Sequence, residues 1–184
     1  LIESDRVTDW ANIVAMAVDF LSSPDIGKYD LTSLQMIGGG GAAMPGAVAE
    51  KLKRLTGLNY IEGYGLSETM AATHINPNAK PKEQCLGIPV FDVDSRIIDV
   101  DTLEEKGPGE TGEIVSCGPQ VTTGNGNRPP ETEAASVEMD GRRFSRTADL
   151  AYYAEEGYSL RADRFKRMFN ASGFKWWPWH VEAM

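Results

Sequence analysis

The segment Glu62-Gly63-Tyr64-Gly65-Leu66-Ser67-Glu68-Thr69 gathers several ligand chemistries behind one apolar run. Tyr64 offers a flat face to a purine, Ser67 and Thr69 can donate to phosphate oxygens, and Glu68 is a hard oxygen ligand suited to magnesium. The same residues also read as a capped helix start, with Ser67 as cap and Glu68 in the first turn. A second feature is Gly38-Gly39-Gly40-Gly41, placed between an apolar run and a helix. Without Cβ atoms such a turn lets a ligand approach backbone, and the helix amino end behind it attracts negative charge; a tight turn alone would need no ligand. A third is Asp149, set among apolar neighbours in Thr147-Ala148-Asp149-Leu150-Ala151. It could accept hydrogen bonds from a ribose diol, or serve as a turn residue or ion-pair partner.

These residues need elements to hold them. Val7, Trp10, Ala11, Val14, Ala17, Val18 and Leu21 recur at helical spacing and predict an amphipathic helix ending near Pro24. Leu34 to Ile37 reads as a strand that enters the glycine turn, followed by a helix from Pro45 to about Gly57. Leu58 to Glu62 reads as a second strand, entering the turn Gly63-Tyr64-Gly65. Strand, glycine turn, helix and strand in that order favour a parallel α/β sheet, with ligands at the carboxyl ends of its strands. After Pro77 and Pro81 the texture changes to short strands, at Arg96 to Val100, Gly112 to Cys117 and Phe144 to Tyr153, which suggests a small β-barrel or sandwich. Gly124 to Pro130 reads as an exposed loop.

The chain has 184 residues, 41% of them hydrophobic, and a formal charge of -9. That length allows a sizeable core, and that charge argues against nucleic acid or an anionic membrane as partner. A local basic stretch, Arg161, Arg164, Lys166, Arg167 and Lys175, stands apart from the acidic remainder. No apolar run is long enough to span a membrane. Cys85 and Cys117 lack the spacing of a zinc site and read as reduced thiols of a cytoplasmic protein. His74 and His180 have no partner at metal spacing and read as structural or surface residues. Trp176, Trp177 and Trp179 read as packing residues. Both termini read as cuts in a longer polypeptide.

Four blocks in this order resemble the adenylate-forming superfamily, most closely its fatty-acyl-CoA synthetase branch. They are Ile37 to Pro45, Gly63 to Thr69, Thr147-Ala148-Asp149-Leu150 with Gly157-Tyr158, and Asp163 to Lys175. Gly107 to Ile114 and Gly118-Pro119-Gln120 look like that family's β-module. The resemblance implies residues 1-78 as part of the α/β nucleotide- and acyl-binding subdomain, 79-162 as a β-rich subdomain, and 163-184 as hinge and start of a C-terminal domain.

It also implies a reaction and a set of roles. A carboxylic acid is activated with ATP to an acyl-adenylate, then passed to the thiol of coenzyme A, with Mg2+ neutralising phosphate charge. By motif position Gly41, Ala42, Ala43, Gly63 and Tyr64 surround adenine, Ser67 contacts the α-phosphate and Glu68 holds magnesium, as a buried ligand. Asp149 binds the ribose hydroxyls, Arg164 lies near ribose and phosphate, Lys166 sits at the hinge, and Gly173 lies near the thioester-forming site. The family's phosphate loop and adenylation lysine are absent from these residues, so the chain alone is expected to make no acyl-adenylate. Ala148 stands where glycine is common, His180 where glutamate is common, and Trp176 where a smaller residue is common. The alternatives are a non-catalytic nucleotide-binding or interaction module derived from the family, and a ligase for another carboxylic acid.

Overall fold

The computed structural model describes residues 1-164, 169-171 and 174-176, with side chains through residue 160. The chain divides into two compact units, one made of Leu1–Gly65 and His74–Ile88, the other of Leu66–Thr73 and the chain from Pro89 onward. Parallel strands occur in the first and antiparallel strands in the second, so the mixed α/β reading holds.

In the first unit strand β1 (Asp9–Asn12) precedes helix α1 (Val14–Ser22). The helix expected to begin at Val7 therefore starts seven residues later. Residues 7, 10 and 11 suit either period, and here β1 gains a backbone partner, pairing in parallel with Met36 to Gly39. That partner is β2 (Met36–Gly40), followed by α2 (Gly46–Thr56) and β3 (Tyr60–Gly65). The α2 boundaries follow the sequence signals closely: Pro45 is its N-cap, and Gly57 ends it with φ of 76°, a left-handed value that favours glycine. Ala17, Leu31, Leu34, Ile37, Met44, Leu52 and Tyr60 form the core of this unit.

The glycine runs differ from expectation. Gly38, Gly39 and Gly40 lie inside β2, and Gly63 and Gly65 inside β3, so neither run is simply a turn. The cause is close backbone approach. A Cβ at Gly39 would overlap the Asn12 carbonyl oxygen of β1 and reach within 2.8 Å of the Tyr60 hydroxyl. A Cβ at Gly38 would lie 2.5 Å from the Ile61 carbonyl oxygen, and one at Gly40 would overlap that of Gly63. A strand hemmed in on both sides can carry no side chains there.

Two short strands follow, β4 (Ala72–Ile75) and β5 (Cys85–Pro89). The second unit then contains β6 (Asp94–Ile98), β7 (Gly112–Cys117), the short helix α3 (Pro129–Ala134), β8 (Ser136–Met139), β9 (Arg142–Tyr153) and β10 (Ser159–Arg164). A hairpin of β11 (Phe169–Ala171) and β12 (Phe174–Trp176) comes last. β9 is the hub: β7 pairs along one edge, while β8 and β10 share the other. The sheet runs β6-β7-β9-β10 and does not close, which corrects the expected barrel. Pro129 and Pro130 also start α3 rather than extend the loop, since proline is tolerated in a first helical turn. Buried Ile97, Ile98, Ile114, Val115, Phe144 and Leu150 form the apolar interior.

The crowding around β2 makes a direct prediction. Gly39→Ala should destabilise the chain by roughly 3 kcal/mol or more, because backbone must move to admit one methyl. Gly27→Ala, with no atom within 4 Å of the added carbon, should change stability by less than about 0.5 kcal/mol. Urea unfolding followed by circular dichroism measures both; equal stabilities for the two variants would remove the close-approach account.

Candidate functional site

The candidate residues fall into two groups, one in each unit. In the first unit β2 and β3 run in parallel with Gly40 opposite Gly63, so Gly41 and Tyr64 sit one step further on, at the strands' carboxyl ends. Gly41 has φ of +87° and open space where a Cβ would stand, and Ala42 and Ala43 beside it are exposed. Tyr64 is half-buried, its ring edge-on to His74 at 5.8 Å between centroids. A side-chain-poor shelf next to an aromatic ring suits a flat, largely apolar ligand such as a purine.

Glu62 ties this corner together, a role that the sequence reading missed. Its Oε2 accepts the Met44 amide at 3.2 Å and its Oε1 the Gln84 amide at 3.0 Å. One carboxylate thus anchors the Ala42–Ala43 shelf to β3 and fixes the chain before β5. Burial pushes its carboxyl above the usual range, partly offset by those two amides. Tyr60 donates to Asn12 at 3.3 Å, and burial, with the Glu62 charge behind it, pushes its hydroxyl up to about 12.

In the second unit Ser67, Glu68 and Thr69 form one 3-10 turn. Ser67 does not cap it. Thr69 does the bonding, its Oγ1 accepting the Leu66 amide at 2.9 Å. Ser67 and Glu68 are exposed in this chain. The Glu68 carbonyl accepts the Thr122 amide at 2.7 Å, and a cavity of about 670 Å³ brings Glu68 together with Thr122, Thr123, Arg143, Arg146 and Thr147. Among the described residues no cluster of three or more His, Cys, Asp or Glu side chains could cage a metal ion. A single exposed carboxylate fits magnesium all the same, since this ion keeps most of its waters and takes phosphate oxygens alongside one or two carboxylates.

Asp149 lies on β9 and is 1% exposed, opposite Arg164 of β10 in the strand register. The two residues linked to ribose by the resemblance are therefore direct cross-strand partners. Thr147, Ala148 and Asp149 form a bulge against β7. Thr147 Oγ1 donates to the Ile114 carbonyl at 2.7 Å and accepts the Asp149 amide at 3.1 Å. Glu113, 3% exposed, accepts Arg146 Nε and Nη2 at 2.9 and 2.6 Å and the Ala148 amide at 2.9 Å. Glu113 and Arg146 were also missed. Their signal was a charged residue at the start of the otherwise apolar strand Gly112–Cys117. Lys166 and Gly173 lie outside the described residues, as do Trp177, Trp179 and His180. Cys85 and Cys117 are not joined in a disulfide, and no helix of the described residues is long and apolar enough to cross a membrane.

Comparison with known proteins adds a consistent set of matches. The profile of the AMP-binding enzyme family matches residues 1–124. Over 183 residues the chain is 37% identical to a long-chain-fatty-acid–CoA ligase of Bacillus subtilis, covering 99% of this chain and 32% of that protein. A long-chain-fatty-acid-CoA ligase from Archaeoglobus fulgidus superposes with a TM-score of 0.81 at 29% identity, over 90% of this chain and 36% of that one. ATP-bound MatB from Rhodopseudomonas palustris superposes with a TM-score of 0.87 at 26% identity, over 97% of this chain and 35% of that one. The chain spans about a third of the length of the curated relative it matches.

His74 gives the first unit a pH signature. The ring is 0% exposed, and burial lowers its pKa from 6.5 to about 4. The folded state binds its proton more weakly than the unfolded state, so the stability from neutral His74 is complete above the unfolded value and is lost as pH falls toward the folded one. Between pH 7.5 and 5 that loss should be about 2 kcal/mol. The raised Glu62 carboxyl acts with the opposite sign, so the test is a difference: urea unfolding of the wild type and His74→Gln at both pH values. The variant should lose about 2 kcal/mol less on acidification; identical losses would contradict a buried neutral ring.

Proposed function

We propose that this chain, which belongs to the AMP-binding enzyme family, forms the adenosine-facing part of an ATP-dependent acid–thiol ligase. The ligase activates a fatty acid to acyl-adenylate with release of pyrophosphate, then transfers the acyl group to coenzyme A. The observation that carries the reading is the open shelf that starts at Gly41 past the end of β2 and includes Ala42 and Ala43, with Gly41 and Tyr64 each one step beyond the Gly40–Gly63 pair. A long-chain fatty acid is the preferred substrate because the 37% identity to a long-chain ligase extends over 99% of the chain.

The proposed roles follow the chemistry of each group. Gly41, Ala42, Ala43 and Gly63 offer backbone to the adenine and Tyr64 offers its ring, held by His74 behind it. Ser67 donates to the α-phosphate, and Glu68 contributes one oxygen to magnesium, whose charge would offset that of the phosphates. Asp149 accepts from the ribose hydroxyls, with Arg164 beside it in register. Lys166 acts at the hinge, and Gly173 lines the approach of the coenzyme A thiol. A cytoplasmic setting belongs to the same proposal.

A second reading, a nucleotide-binding module without turnover, is favoured by one observation. Ala148 holds φ of +56°, a backbone region that costs a non-glycine residue roughly 1–2 kcal/mol, at a position where this family commonly has glycine. Binding without pyrophosphate exchange would select that reading.

Substitutions at three positions test the ligase reading in a protein of the relatives' length that carries this sequence. Tyr64→Ala should weaken ATP by about tenfold, the value of one lost stacking contact, while Tyr64→Phe should stay near wild type. Glu68→Ala should nearly abolish acyl-adenylate formation and demand more magnesium. Asp149→Asn should raise the ATP KM about ten- to a hundredfold. ATP dependence of radiolabelled acyl-adenylate formation measures all three, and an Asp149→Asn KM equal to wild type would remove the ribose assignment.

A further inference from the structure

Strands β7 and β9 fall out of step at one place. Glu113 pairs with Leu150 and Val115 with Arg146, so Ile114 alone spans Thr147, Ala148 and Asp149. On the other edge of β9 the register also shifts, between Arg161 and Asp163 of β10, which brings Arg164 opposite Asp149. Bulges of this kind re-aim side chains and often stand beside active sites.

The bulge is not held by ladder bonds alone. Glu113 uses its two carboxylate oxygens for different purposes: Oε2 takes both Arg146 nitrogens, at 2.9 and 2.6 Å, and Oε1 takes the Ala148 amide at 2.9 Å. A carboxylate that is 3% exposed would be costly without a cation, so Arg146 makes its burial possible and leaves Oε1 for the backbone. That remaining bond falls on Ala148, whose φ of +56° an alanine resists. A charge-assisted acceptor at the amide offsets the strain. The bulge in turn carries Asp149, and Thr147 and Ala148 line the same cavity as Glu68.

We propose that Glu113, made buriable by Arg146, is a positioning residue for nucleotide use. It holds Ala148 in its left-handed conformation and thereby sets where Asp149 and the Thr147–Ala148 wall of the cavity stand. The inference rests on the nucleotide role proposed above for Asp149 and Glu68. Glu113 itself need touch no ligand.

The test uses the same ligase carrying this sequence, with Glu113→Gln, the double variant Glu113→Gln/Ala148→Gly, Arg146→Lys and Asp149→Asn. Glutamine keeps the shape but has one acceptor oxygen for two sets of donors, so it cannot serve both Arg146 and the Ala148 amide, and the guanidinium competes for that oxygen. Glu113→Gln should raise the ATP KM about tenfold with kcat within about threefold, and speed hydrogen exchange at the Ala148 amide about tenfold or more. Adding Ala148→Gly should recover most of the KM loss, because glycine adopts positive φ unaided. A plain structural ion pair would shift the melting temperature but give no such recovery. An ATP KM within about twofold of wild type in Glu113→Gln, or no recovery in the double variant, would overturn the proposal. Should Glu113→Gln fail to fold, Arg146→Lys keeps the cation and loses the two-nitrogen grip. It should raise the KM about threefold, and an unchanged KM there would overturn the proposal equally. Asp149→Asn separates the two readings: an unchanged KM removes the ribose role, while exchange at Ala148 still reports on the clamp.

Discussion

The first unit is organised around a strand with almost no room for side chains. Gly38, Gly39 and Gly40 lie between β1 and β3 so closely that a methyl group at any of them would meet a neighbouring carbonyl. Parallel strands at this spacing leave their carboxyl ends close together, which is where ligands bind in open α/β sheets. The shelf at Gly41 and the ring of Tyr64 follow from that constraint, and so does the position of Glu62, which can reach back to the Met44 amide. Tyr60 fills the space beside Gly39 and passes its hydroxyl to Asn12. Replacing the glycines would therefore disturb the candidate adenine site through the sheet, without changing any residue proposed to touch the base.

The second unit reaches a comparable end by other means. Its sheet is antiparallel and open, and its irregularity is an insertion in β9 rather than a lack of side chains. There a buried carboxylate substitutes for glycine's freedom by bonding the amide of an alanine in a left-handed conformation. In the first unit the residues proposed to meet nucleotide stand at or just past the strand ends, and in the second Asp149 stands in a bulge. Irregular backbone presents amides and re-aims side chains, which a uniform ladder cannot do.

Much of this was legible in the residues themselves. Gly57 marked the end of α2 because only a left-handed cap was needed there, and Gly112 to Cys117 is β7 to the residue. The blocks around Tyr64 and Asp149 identified the family and placed both residues in or beside strands. Other features were hidden. Val7, Trp10 and Ala11 suit helix or strand alike, and only the pairing of β1 with β2 decides between them. The glycines of β2 looked like a turn because close approach of three strands is a tertiary fact. Glu113 and Arg146 are 33 residues apart, so no local pattern links them, and the bulge they hold is visible only in the register. The exposure of Glu68 likewise depends on how its turn is tethered by Thr122.

If these 184 residues form the nucleotide side of a fatty-acid-activating ligase, as proposed, they should sustain adenylation when set within a relative. The most direct measurement replaces the matched third of a characterised long-chain-fatty-acid–CoA ligase with this chain and follows fatty-acid-dependent exchange of pyrophosphate into ATP. The account predicts a folded chimera whose exchange depends on magnesium and on an added long-chain fatty acid. A chimera that folds and binds ATP, yet shows no pyrophosphate exchange whichever carboxylic acid is supplied, would contradict it.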